Sequence, residues 1–201
     1  MTDLSIPRDL SAVVIGGSAG SVDGLGQLLP ALHRDMGVAV FVVIHLPRER
    51  SSKLVEIFAR RCEAPLLDAE DKQPIVPGCV YFAPPDYHLL VDEGPAIALS
   101  VDELVHYSRP SIDVLFESAA DIYASRLLAI VLSGANDDGA AGLSTVARRG
   151  GATCVQDPAR ASSPTMPAAA LRAAPASAVL DLAEIAALLG SVRSGRCQPM
   201  A

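Results

Sequence analysis

Short runs of aliphatic and β-branched residues alternate, over the first third of the chain, with longer stretches in which apolar positions recur every three or four residues. Ala12 to Ile15 and Val38 to Ile44 read as buried strands, and Val22 to Arg34 and Lys53 to Arg61 carry helical spacing. This rhythm predicts βαβ units and therefore a parallel sheet. Between Leu66 and Ser100 it breaks: "QPIVPG", "APPD" and "DEGP" are turn signals that separate short runs such as Cys79 to Ala83 and Ala96 to Leu99. The pattern there predicts a small antiparallel excursion.

The helix and strand rhythm then resumes. Ile112 to Tyr123 reads as a helix, Leu127 to Leu132 as a strand, Ala140 to Arg148 as a helix stopped by Gly150 and Gly151, and Ala152 to Val155 as a strand. "SSPTMPAAALRAA" predicts a short helix opened by prolines, and "DLAEIAALLGSV" an amphipathic last helix with Asp181 as its cap. The core is expected within about residues 12 to 190 of a single domain spanning 1 to 201, with a frayed tail from 193.

Composition narrows the class. Half of the 201 residues are hydrophobic and 19% are charged, which excludes a disordered chain. No apolar run approaches the roughly 20 residues of a bilayer span, and "MTDLSIPRDL" lacks the basic-then-apolar order of a secretory signal, so a cytoplasmic address and no membrane insertion are expected. A net charge of −7 argues against a nucleic-acid partner, and the Arg60–Arg61 pair reads as a solvated helix end. Cys62, Cys79, Cys154 and Cys197 show no metal-ligand spacing and read as buried or incidental thiols, so no metal or cofactor is expected.

The chemistry concentrates in "AVVIGGSAGS", residues 12 to 21. As a dinucleotide loop it fails, because Ser18 and Ser21 stand where that fingerprint needs glycine and the second strand ends near His45 rather than an acid. A Walker A loop is excluded for lack of G-K-[ST]. Gly16 to Gly20 does match G-x-S-x-G, but only 11 residues precede the first strand, too few for an α/β-hydrolase sheet. A third reading keeps Ser18 as nucleophile and finds its partners at other strand ends. His45 closes the second strand, "SGANDDG" follows the strand ending at Leu132, and open α/β sheets place their sites at this carboxyl edge. Ser18, His45 and one of Asp137 or Asp138 then form a workable triad. Asn136, Asp137 and Asp138 also suit the cap of the helix that starts near Ala140.

In order, the stretches "VVIGGSAGS", "VVIHLP", "GCVYFAPPDYHLLV", "RPSIDVLFESAA", "IVLSGANDDGAAGL", "GGATCVQDP" and "SPTMPAAAL" resemble the catalytic domain of the bacterial chemotaxis protein-glutamate methylesterases, from about Ala12 to Leu189. The resemblance implies an α/β fold, doubly wound, with a mainly parallel Rossmann-like sheet, helices on both faces and a small hairpin. It implies a serine esterase that removes methyl esters from chemoreceptor glutamates, with glutamine deamidation as a second activity. Ser18 corresponds to the nucleophile, His45 to the general base and Asp138 to the carboxylate that orients the imidazole. Amides near Ala19 and Ala135 are candidate oxyanion donors, and Arg109 and Met166 are candidate substrate contacts.

The chain departs from the family pattern at Ala19 and Ser21, where threonine and glycine are usual, and at Ala135 and Asn136, where methionine and glycine are usual. The expected partner is the cytoplasmic domain of a methylated chemoreceptor. Since the first catalytic strand begins near residue 12, regulation is expected from a separate receiver-domain or phosphotransfer protein. Two rivals remain at this stage: an esterase for another carboxyl ester, and a non-catalytic receptor-binding module on the same fold.

Overall fold

All six residues of the first strand, β1 (Ala12–Gly17), are buried, and their alternation divides the molecule into two cores. Val13 and Ile15 join Leu25, Leu28, Ile185 and Leu189 in one, whereas Ala12 and Val14 join Leu115, Phe116, Val146 and Met166 in the other. A strand buried on both faces belongs inside a helix-covered parallel sheet. The computed structural model describes residues 6–45, 53–94 and 96–192.

The elements follow in the order β1, α1 (Ser21–Leu28), β2 (Ala39–Ile44), α2 (Leu54–Phe58), β3 (Leu66–Asp68), β4 (Val80–Phe82), β5 (His88–Asp92), β6 (Ala96–Ser100), α3 (Ile112–Tyr123), β7 (Leu127–Val131), α4 (Ala140–Arg148), β8 (Ala152–Gln156), α5 (Thr165–Ala173), β9 (Ala178–Leu180) and α6 (Leu182–Ser191). Seven strands form a parallel sheet in the order β3-β4-β2-β1-β7-β8-β9. The chain builds outward from β1 on one side and returns to lay β7, β8 and β9 on the other. The strand order therefore reverses between β1 and β7, where open sheets of this kind leave a crevice at their carboxyl ends. Strands β5 and β6 form a separate antiparallel hairpin, tied to α3 by the Val91 N–H donating to Ser118 Oγ at 3.2 Å.

The expected doubly wound sheet with a small hairpin is what the chain forms. Its hairpin is smaller than the excursion read from Leu66 to Ser100: β3 and β4 pair in parallel within the main sheet, and the antiparallel ladder runs over His88 to Ser100, with one further antiparallel bridge between Pro74 and Ala96. Three-residue strands carry too little periodicity to reveal their direction. The helix expected from Val22 to Arg34 ends its α-helical part at Leu28 and closes in a 3₁₀ turn, Leu29–Ala31. Pro30 has no N–H to bond back and its ring crowds the preceding turn. Asp181 caps α6 as expected, in a capping box with Glu184 at 2.9 and 2.8 Å. Cys154 is buried, which pushes its thiol up to about 12, and Cys62 and Cys79 are half-buried. Cys197 and the tail from 193 lie outside the described residues.

Candidate active site

Parallel register brings Ser18 to His45. β1 and β2 pair as far as Gly17 with Ile44, and the His45 N–H donates to the Gly17 carbonyl at 3.1 Å, so Ser18 and His45 leave adjacent strands side by side. Neighbouring strands run about 4.8 Å apart, which fixes the spacing of the two backbones. On the other flank the Ser18 N–H donates to the carbonyl of Ser133, just past β7, at 2.9 Å. The turn then enters α1 through Gly20, whose φ of +80° is a conformation that side chains resist. A Cβ on Gly20 would also lie 2.5 Å from Ser162 Cβ.

The imidazole of His45 meets a buried carboxylate. Its Nε2 lies 2.8 Å from Asp138 Oδ2, and Asp138 is fully buried. Four groups fix this carboxylate: His45, the Ser111 hydroxyl at 2.9 Å, and the N–H groups of Ile112 at 2.8 Å and Asp113 at 3.0 Å. The last two are the opening N–H groups of α3, which have no partner within their own helix. Burial alone would raise the Asp138 carboxyl, but the bond with His45 and those from Asp113 and Ile112 outweigh it, and the group sits below the usual carboxylate range. Asp138 thus serves α3 and not α4, correcting the expectation that it or Asp137 caps the helix at Ala140. The N-cap of α4 is Gly139, φ +93°, with no side-chain cap.

Glycines permit this convergence. A Cβ on Gly16 would lie 2.3 Å from Ile112 Cγ2, and one on Gly139 2.7 Å from the same methyl. Ile112 can therefore seat the start of α3 against both the sheet edge and the turn that carries Asp138. Serine 111, the N-cap of α3, is buried and receives the Val114 N–H, and its own N–H donates to His88 Nδ1 at 3.1 Å. His88, which the sequence left without chemistry, is thus a buried brace.

The remaining candidates fall around this center. Ala19 and Ala135 are exposed, and among the described residues their N–H groups make no hydrogen bond. Two free N–H groups on the turns that follow β1 and β7 can receive a developing oxyanion. Met166 is fully buried against Gly134. Arg109 spends its guanidinium within the fold, on Asp86 at 2.8 and 3.1 Å and on the carbonyls of Val101 and Asp102 at 2.7 and 2.8 Å. Asn136 Oδ1 is buried without a partner among the described residues.

Four residues that the sequence reading did not single out for the site, Ser108, Ser111, His106 and Asp113, also gather here. Ser108 Oγ is 3.5 Å from His45 Nδ1, and His106 lies between Asp113 and Asp137. Only Ser111 carried a local signal, as a serine directly before a helical run.

An imidazole held by a buried carboxylate, with a serine at the neighbouring strand end, is a residue set that can perform acyl transfer. The comparisons agree. The family model for the CheB methylesterase matches residues 13–189. A Leptospira interrogans protein that carries the name "Putative protein-glutamate methylesterase/protein-glutamine glutaminase" is 40% identical over 177 residues, covering 88% of this chain and 92% of its own length. A Caulobacter vibrioides protein named "Protein-glutamate methylesterase/protein-glutamine glutaminase 2" is 35% identical over 186 residues, 90% of this chain and 54% of its own length. The crystal structure of the Thermotoga maritima CheB methylesterase catalytic domain superposes with a TM-score of 0.85 at 29% identity, covering 90% of this chain and 97% of that one. With sequence, fold and comparison in agreement, the chain belongs to the CheB methylesterase family.

Proposed function

We propose that this chain is a serine hydrolase that removes methyl esters from glutamate side chains of chemoreceptor cytoplasmic domains. The observation that carries the reading is the His45 ring, held through Nε2 by a buried, ionised Asp138 and set beside Ser18 by strand register. With Nε2 committed to Asp138, Nδ1 is the nitrogen left to take a proton. Ser18 Oγ attacks the ester carbonyl as its proton passes to Nδ1, and Asp138 stabilises the imidazolium that forms. The N–H groups of Ala19 and Ala135 receive the oxyanion, each well-placed donor contributing on the order of 3 kcal/mol. The imidazolium returns the proton to the leaving methoxide, methanol departs, and a water activated by the same nitrogen hydrolyses the acyl-enzyme to glutamate.

The same acyl-enzyme forms from a primary amide with ammonia as the leaving group, so glutamine deamidation is a second reaction of the site, in line with the glutaminase half of the relatives' names. Ala19 and Ala135, smaller than the residues usual in the family, are both exposed, which suits an ester presented on another protein's surface. No described helix is long and apolar enough to cross a membrane.

The reading is tested by methanol release from a methylated chemoreceptor cytoplasmic domain. Wild-type protein releases methanol and Ser18→Ala does not; receptor binding without release in the wild type would instead favour a binding module. Adding a phosphorylated receiver-domain protein to the same assay reads out regulation by a separate chain.

A further inference from the structure

The segment from Val101 to Arg109 leads from the hairpin to α3 and reaches His45 through Ser108. Its tip is a two-residue turn: Val105 and Ser108 exchange N–H···O=C bonds at 3.2 and 2.8 Å, and the residues between them, His106 and Tyr107, have φ of +48° and +59°. Turns with both central residues left-handed are normally built from Gly, Asn or Asp. A tyrosine there is strained, and Tyr107 gains no burial in return, being 95% exposed. Strain of this kind persists where surrounding contacts over-determine it, and it clusters at functional sites.

Those contacts come from His106. Its Nε2 is 3.3 Å from Asp113 Oδ2, in the first turn of α3, and its Nδ1 is 3.1 Å from Asp137 Oδ1, beside Asp138. The base of the segment is pinned separately by Arg109, on Asp86 and on the carbonyls of Val101 and Asp102. What the turn delivers is Ser108. Its Oγ, 3.3 Å from the His106 carbonyl within the turn, also lies 3.5 Å from His45 Nδ1, while Ser18 Oγ makes no hydrogen bond among the described residues.

We propose that His106 is a positioning residue: by bridging Asp113 and Asp137 it holds the Val105–Ser108 turn down, so that the Ser108 hydroxyl occupies the ring nitrogen Ser18 must reach, and the turn lifts before acylation. The proposal rests on the reading of Ser18 as nucleophile and His45 as base. Ser108 competes with Ser18 for one acceptor, and His106 sets how long it does so.

Two measurements on the full chain test this: the rate at which a small alkyl fluorophosphonate labels Ser18, and amide hydrogen exchange over residues 101–109. Ser108→Ala removes the competitor but leaves the latch, so labelling accelerates about 3- to 10-fold, the worth of one modest hydrogen bond, while exchange stays at the wild-type rate. His106→Ala accelerates both. The gain appears in the maximal labelling rate and not in the affinity for the probe, a split that a merely structural role would not produce. Should His106→Ala fail to fold, Ser108→Ala decides alone. Labelling of Ser108→Ala at or below the wild-type rate, or unchanged exchange in His106→Ala, overturns the latch. A probe that labels no variant at Ser18 overturns the nucleophile reading, and the latch falls with it.

Discussion

Asp138 and Asp113 are neighbouring buried carboxyls with opposite tendencies, and the difference lies in their donors. Asp138 receives four and stays ionised, whereas burial pushes Asp113 up to about 6, against the Gly142 N–H and His106 that favour its charge. Asp138→Asn keeps an oxygen for α3 but no longer enforces the imidazole tautomer, and turnover is expected to fall on the order of 10⁴-fold with little change in KM. Asp113 gives a pH signature. Folded, it holds its proton to about pH 6, whereas the unfolded chain releases it near 3.8, so the native state binds more protons between these values and stability falls as pH rises through that window. Asp113→Asn retains an acceptor for Gly142 and should flatten the urea midpoint between about pH 4 and 6; an unchanged slope would contradict this. Ser18, His45 and Asp138 were each legible as residues at strand ends, and the resemblance chose between Asp137 and Asp138. His106 and Ser108 were not legible, because their partners lie in other elements and no local spacing announces them.

Among the elements, α3 does most to assemble the site. Its first residue packs on two glycines, its first N–H groups hold Asp138, and its first-turn Asp113 receives His106. Gly16→Ala would drive a methyl into Ile112 Cγ2 and is expected to cost about 1–3 kcal/mol in a denaturation experiment, part of which Ile112→Ala recovers in the double variant. Additive effects would mean that the two residues do not share this contact. The boundaries of α3, α4, β7 and β8 follow the sequence closely, since long amphipathic runs and glycine stops are strong local signals. The β3 and β4 directions were misread and β9 was missed, because three-residue strands take their place from the sheet they join. The cap of α4 was misread as well: Asn136, Asp137 and Asp138 all suited it, but Gly139 stands there with no side-chain cap, and the Asp138 carboxylate turns toward α3.

Across the whole molecule, the sheet order explains how the turns that carry residues 18, 45 and 138 come to one edge. The strand order reverses at β1, and the turns after β1, β2 and β7 all lie at that carboxyl edge, where open sheets place their sites. The parallel sheet was legible in the alternation of strand and helix, and the gathering of the three turns that carry these residues at one sheet edge follows from it. The most direct test of the account is to quench the protein in acid during turnover of a methyl-esterified glutamyl peptide and map the covalent adduct by mass spectrometry. A glutamyl ester on Ser18 is the expected adduct; an adduct on a different residue, or methanol released at the wild-type rate by Ser18→Ala, would contradict nucleophilic attack by Ser18.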